Sequence, residues 1–215
     1  MKLLLTSSGI VDDTIAAELQ GLIGKVPADV KVGFVPTAAN GEVGDKHWLI
    51  ADYVRLWKCG YEWIDIVDPS AADLDWRDRL KDVDVVFIAG GNTFHLLKQA
   101  QQTGFMDWLT EHANDKVLVG SSAGSILMTP TISVSGIADA NHTGMEKLDA
   151  LGFVDFEFIP HIGAMISLKQ ATAYAKKAKY NVYAVDDATA ITVVDGKVQV
   201  VGRGEHKLYK KPAAK

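Results

Sequence analysis

Apolar residues fall along this chain in two alternating rhythms: short continuous runs, and longer stretches with apolar positions three and four residues apart. Lys2–Thr6 is of the first kind and predicts a buried strand. Val11–Ile23 has the second spacing, with Ile15, Leu19, Leu22 and Ile23 on one side, and predicts a helix. The alternation continues with a strand over Lys31–Pro36, a helix over Val43–Leu56 carrying Trp48, Leu49, Tyr53 and Leu56, and a strand over Tyr61–Val67. A short helix over Trp76–Lys81 and a strand over Asp84–Ala89 come next. That strand is nearly all apolar, as a strand covered on both faces must be. Thr93–Gln101 and Met106–Ala113 read as helices. Val117–Gly120 is then a strand that runs directly into Ser121-Ser122-Ala123-Gly124.

Strands alternating with helices imply an α/β fold: one mostly parallel central sheet with helices on both faces, a three-layer sandwich. The last third of the chain changes character. Phe156–Pro160, Val182–Val185, Ala190–Val194, Lys197–Val201 and His206–Tyr209 are strand-like, with one more helix over Ser167–Lys179. Asp195-Gly196 between two of these strands is a hairpin turn signal. Neither a repeat nor a linker divides the 215 residues, so a single domain over 1–215 is expected, with Lys210–Lys215 as a frayed tail.

Composition narrows the partners. The net charge of −5 argues against nucleic acid, which needs a basic surface. No apolar stretch reaches membrane-spanning length, so no membrane association is expected. The apolar start, Met1 to Leu5, is too short for a secretory core and is followed by Asp12 and Asp13. The lone cysteine, Cys59, has no partner for an intramolecular disulfide. These features fit a cytoplasmic enzyme or binding domain, and a homodimer is compatible with them.

The chemistry gathers at Gly120-Ser121-Ser122-Ala123-Gly124, a G-x-S-x-G pattern. Its context raises its value, because a buried strand precedes it and an apolar helix starts at Ser125–Met128. A nucleophile elbow needs this arrangement: the central serine on a sharp turn, with small flanking residues that let strand and helix approach. Ser122 would then project beyond the carboxyl ends of the parallel strands, where open α/β sheets place their sites. The Ala123 amide, at a helix N-terminus, can face a developing oxyanion. The alternative is a helix-capping serine in a glycine-rich turn. Ser121 is in the wrong register for the elbow and reads as structural.

A serine hydroxyl needs a base, and the chain offers six histidines. His47, His95 and His112 fall in predicted helices. His161 ends the strand Phe156–Pro160 and opens a loop, which makes it the candidate base, with a turn histidine as the bland alternative. His142, in the polar loop around Asn141, is the runner-up. For the third group, Asp139 lies between serine and histidine in the sequence and is the first candidate; Asp186 and Asp187 end a later strand and compete. A second glycine turn, Ala89-Gly90-Gly91-Asn92-Thr93, follows the fourth strand. The Gly91 amide can supply a second oxyanion donor there, and Asn92 a substrate contact or a helix cap. A phosphate cradle is disfavoured, since neither G-x-G-x-x-G nor the Walker ending is present. No metal-ligand spacing and no cofactor motif appears, so neither metal nor cofactor is expected.

Taken together, Phe87–Leu97 with its glycine-Asn-Thr turn, the Gly120–Gly124 elbow, Pro160-His161 and Val185–Ala190 resemble, in the same order, the dipeptidase E and cyanophycinase family of serine peptidases. The resemblance implies a flavodoxin-like fold of the class I glutamine amidotransferase type, with Ser122 as nucleophile, His161 as base, and the Gly91 and Ala123 amides as the oxyanion hole. It places an acidic residue after the elbow helix, where Thr131–His142 offers only Asp139. One departure stands out. After the histidine, aspartyl dipeptidases of the family carry a charged, arginine-containing segment, whereas Ile162–Leu168 here is apolar. The expected activity is therefore hydrolysis of short peptides through an acyl-enzyme, without an implied preference for Asp-Xaa. A serine hydrolase or esterase for another acyl compound, and a non-catalytic binding domain, are the alternatives. A glutamine amidotransferase is disfavoured because its nucleophile is cysteine, and Cys59 lies near a helix end.

Overall fold

A computed structural model describes residues 1–211. Of the tail expected over Lys210–Lys215, Pro212–Lys215 lie outside the described residues. The strands are β1 (Lys2–Thr6), β2 (Lys31–Val35), β3 (Trp63–Ile66), β4 (Val85–Ile88), β5 (Val117–Ser121), β6 (Phe156–Ile159), β7 (Asn181–Val185), β8 (Thr189–Val194), β9 (Lys197–Gly202) and β10 (His206–Tyr209). The helices are α1 (Asp13–Ile23), α2 (Thr37–Asn40), α3 (His47–Lys58), α4 (Trp76–Lys81), α5 (Thr93–Thr103), α6 (Phe105–His112), α7 (Ala123–Leu127) and α8 (Leu168–Ala175).

The main sheet has seven strands in the order β3-β2-β4-β5-β1-β8-β9. β3 through β1 in that order are parallel, and β8 and β9 close the far edge antiparallel. Alternate side chains of the central strands feed two separate cores. Leu3, Leu5, Val86, Ile88 and Leu118 face the side carrying α4, α5, α6 and α7. Leu4, Val85, Phe87, Val117 and Val119 face the side carrying α1 and α3. Continuous apolar runs are thus the signature of strands buried on both faces, and the three-layer α/β architecture is observed.

The late strands do not all extend this sheet. β8 and β9 join it through the Asp195-Gly196 hairpin, whose positive φ values of 49° and 80° suit a primed turn. β6, β7 and β10 form a separate three-stranded sheet, ordered β10-β7-β6, that packs into the first core through Phe156, Phe158, Val182 and Ala184. Two predicted helices are also shorter than their patterns. α3 starts at His47, because Gly44 takes a φ of 86° that a helix cannot continue through. α8 starts after Ser167, which caps it in a reciprocal capping box with Gln170, and it ends at a stretch whose Lys176, Lys177 and Lys179 are exposed.

Candidate active site

Parallel strands leave their carboxyl ends along one edge, and the turns after β1, β4 and β5 meet there. β1 and β5 pair in register, Thr6 opposite Ser121, so their exits lie side by side. The turn after β5 is sharp. Ser122 has φ 50° and ψ −107°, a conformation that costs a non-glycine residue energy and recurs at functional sites. Its amide donates to Thr6 O at 3.0 Å, and its carbonyl accepts from the Ile126 amide at 3.0 Å, starting α7. The buried Ser125 hydroxyl donates to Thr6 O and Gly120 O, pinning the helix to both strands. The two glycines of the pattern are required by contact. A Cβ on Gly120 would stand 2.4 Å from Ser125 N, and one on Gly124 2.0 Å from the Ile88 carbonyl oxygen.

His161 stands at the end of β6, on the small sheet, with φ 60°. Its Nε2 lies 2.9 Å from Ser122 Oγ, and its Nδ1 lies 2.5 Å from Asp187 Oδ1. Two serines from the turn after β1 fix this carboxylate: Ser7 Oγ donates to Asp187 Oδ1 at 2.9 Å and Ser8 Oγ at 2.8 Å. Ser7 Oγ also accepts from the His161 amide at 2.8 Å, holding the backbone as well as the ring. The imidazole hydrogen bond, followed by the two serine hydroxyls, holds the Asp187 carboxyl down at about 2, against the opposing effect of partial burial. An ionised Asp187 can accept a hydrogen bond from Nδ1–H of the imidazole.

The other expected residues are placed as follows. Asp139 is half-buried beside the same cavity, where its Oδ2 accepts from the Thr93 amide at 2.9 Å. Burial raises its carboxyl above the ordinary range. The carboxylate on Nδ1 is therefore Asp187, not Asp139. Its neighbour Asp186 turns the other way, capping the turn through Ala188 N, Thr189 Oγ1 and Glu205 N. Asn92 does not present its side chain to the cavity. It is 3 % exposed, caps α5 by accepting from His95 N, and donates to Ala140 O. The substrate-contact role expected of it is replaced by the capping role. His142 is exposed in its loop and does not line the cavity that Ser122 opens into. The Gly90-Gly91 turn does reach Ser122, since a Cβ on Gly90 would stand 3.3 Å from Ser122 Cβ. Gly91 takes φ 132° and packs against the α2 backbone at Ala38. Among the described residues, the Gly91 and Ala123 amides make no hydrogen bond.

These groups open into a cavity of about 520 Å³, walled on one side by Trp48, Ala51 and Arg55 of α3 and on the other by Pro160, Met165 and Ile166. Beneath the Ser122 turn lies a carboxylate with no counterpart among the expected residues. Asp52 of α3 is 4 % exposed and accepts from Ser121 Oγ at 2.9 Å and Arg55 Nη1 at 3.2 Å. Burial pushes it up to about 6, against the pull of Ser121 and Arg55. The sequence does carry a signal for it. Asp52 falls on the stripe of Trp48, Leu49, Tyr53 and Leu56, where an apolar residue belongs. Ser7 and Ser8 were legible too, as polar residues at the carboxyl end of a central parallel strand. No group of His, Cys, Asp or Glu among the described residues is arranged to hold a metal ion. None of the described helices is long and apolar enough to cross a membrane.

The family model described as Peptidase family S51 matches residues 3–201. An uncharacterized peptidase of Listeria monocytogenes is 29% identical over 176 residues, covering 75% of this chain and 81% of that protein. One from Pasteurella multocida is 26% identical over 182 residues, covering 82% and 86%. Peptidase E of Escherichia coli is 33% identical over 97 residues, 45% of this chain and 38% of that protein. Among solved structures, a candidate peptidase E from Listeria monocytogenes superposes with a TM-score of 0.81 at 24% identity, covering 94% of this chain and 98% of the other. A peptidase from an acI-B1 actinobacterium gives 0.69 at 19% identity, covering 99% and 91%.

Proposed function

The chain belongs to peptidase family S51 and is a peptidase, and from that premise we propose that it hydrolyses short peptides through an acyl-enzyme on Ser122. The carrying observation is the continuous line from Ser122 Oγ to His161 Nε2 at 2.9 Å and from His161 Nδ1 to Asp187 at 2.5 Å. In this reading the turn after β5 is a nucleophile elbow. His161 takes the hydroxyl proton as Ser122 attacks the carbonyl carbon, then gives it to the departing amine. Asp187, ionised, fixes the tautomer and stabilises the imidazolium that forms. The Gly91 and Ala123 amides, which make no hydrogen bond among the described residues, would serve as the oxyanion donors, with Ala123 adding the first-turn field of α7. Water, activated by the same histidine, then releases the acyl group and restores Ser122.

The substrate class follows from the cavity. At about 520 Å³ it suits a short peptide rather than a folded chain, and its walls mix Trp48, Ile126 and Met165 with polar groups. The test has two parts. A fluorophosphonate probe is expected to label the wild-type chain and not Ser122→Ala, and a library of dipeptides and tripeptides is expected to be cleaved only by the wild type. Labelling without cleavage of any peptide, together with turnover of simple esters, would replace peptidase chemistry at this site with that of an esterase.

A further inference from the structure

Asp52 is unusual for where it sits. Only two residues of α3 are buried, Asp52 and Leu56, and one of them is a carboxylate. Burying an ionisable group costs free energy unless its partners offset it, and burial here raises the carboxyl to about 6. Its contacts explain its place. Oδ2 accepts from Ser121, the residue directly before the nucleophile. Oδ1 accepts from Arg55 Nη1, and the same nitrogen donates to the Ser8 carbonyl at 3.0 Å. Ser8 in turn donates through its hydroxyl to Asp187. Gly9, with φ 72°, lets the backbone lie against the carboxylate, since a Cβ there would stand 2.2 Å from Oδ1.

The hydrogen bonds therefore close a ring. It runs from Ser122 through His161 and Asp187 to Ser8, through Arg55 to Asp52, and back through Ser121 to the Ser122 turn. The Ser122 turn and the Ser7-Ser8 turn, which holds Asp187, have Asp52 as their common tie on the α3 side. We propose that Asp52 is a positioning residue for the hydrolysis, whose carboxylate locks the Ser122 turn and the Ser7-Ser8 turn to each other through Ser121 and Arg55. The proposal rests on the Ser122 reading above. Asp52 lines the floor of the cavity but makes no hydrogen bond to Ser122, His161 or Asp187, and acts through Ser121 and Arg55. Two charged or titratable groups act on it: Arg55 on its own helix and His161 across the cavity. The segments packed on it from β1 and β5 face it with Gly9 and Ser121, which do not titrate. A protonated His161 favours the ionised form of Asp52, so this second anion also stabilises the imidazolium of the transition state. When Asp52 takes up a proton, that field is lost and the bonds from Arg55 and Ser121 lose their charge assistance.

The test is the second-order rate of fluorophosphonate labelling, followed from about pH 5 to 9, together with kcat and KM on a cleaved peptide. Asp52→Asn keeps the shape and removes the charge. It is expected to fold, to label about ten- to hundredfold more slowly at neutral pH, and to lose that factor in kcat rather than KM. Its pH profile should lack the component that follows Asp52 in the wild type. Ser121→Ala should lose part of the same factor, and the double variant should lose no more than Asp52→Asn alone. Wild-type rates and an unchanged acid limb in Asp52→Asn, with wild type labelled and Ser122→Ala not, would overturn the positioning role alone. An unlabelled wild-type chain would overturn the Ser122 reading, and the positioning role with it.

Discussion

At the scale of single residues, the site separates groups that look alike in sequence. Asp186 and Asp187 are adjacent, yet one caps a turn and the other holds the imidazole. Asp139 and Asp187 both reach the cavity, yet burial raises the first carboxyl while the His161 contact lowers the second. Asp187→Asn is expected to lower kcat about a thousandfold or more, because the amide stabilises the wrong tautomer and no longer offsets the imidazolium charge. Asp139→Asn keeps the acceptor that Thr93 needs, and its kcat should stay near wild type. Steady-state kinetics on one cleaved peptide check both. The reverse ranking would return the third position to Asp139.

At the scale of elements, the fold depends on a few close approaches between backbones. Gly124 brings α7 against β4, and alanine there would drive a Cβ to 2.0 Å from the Ile88 carbonyl oxygen. Gly124→Ala is expected to cost about 1–3 kcal/mol or more and to displace Ser122, so activity should fall with stability. Gly21, in the last turn of α1, has nothing within 4 Å of the corresponding position. Gly21→Ala should therefore stabilise by about 0.5–1 kcal/mol without touching activity. Denaturant midpoints of the two variants, moving in opposite directions, make the check. Element type was legible wherever the pattern was long or the burial two-sided, as in β4, β5 and α1. It was not legible for α2, since Thr37–Asn40 is too short to show a period. Nor could pattern tell that β6, β7 and β10 leave the main sheet, because pairing partners are set by tertiary contact. Ser122 and His161 were legible because each sits at a strand exit. Asp187 was masked by chain order: a carboxylate can reach an imidazole from any point in the sequence, so the stretch between serine and histidine had no physical priority. Asp52 was hidden inside a helix pattern that it interrupts.

At the scale of the whole molecule, Asp52 and Asp187 pull stability in opposite directions with pH. Asp187 has a folded value lowered to about 2, so its contribution is present above its ordinary value and is lost as pH falls towards 2. It is half-exposed, and solvent screening keeps that contribution small. Asp52 is raised from 3.8 to about 6 and is almost wholly buried, so the folded chain binds its proton more tightly than the unfolded chain does. Its penalty is absent below 3.8, grows as pH rises towards 6, and levels off above that. The shift corresponds to on the order of 3 kcal/mol at neutral pH. Asp52→Asn mimics the protonated form at every pH. The stability difference between Asp52→Asn and wild type should therefore shift by about that amount in favour of the variant between pH 4 and 7. Chemical denaturation of both proteins at each pH measures it, and a pH-independent difference would remove the burial cost from the account. A chain that keeps a carboxylate at such a cost in its working range is trading stability for something else. In the proposed positioning role, that return is the geometry of Ser122, held through Ser121 and Arg55. The same substitution is then expected to gain stability relative to wild type as pH rises while turnover falls, a pairing that a merely structural carboxylate would not produce.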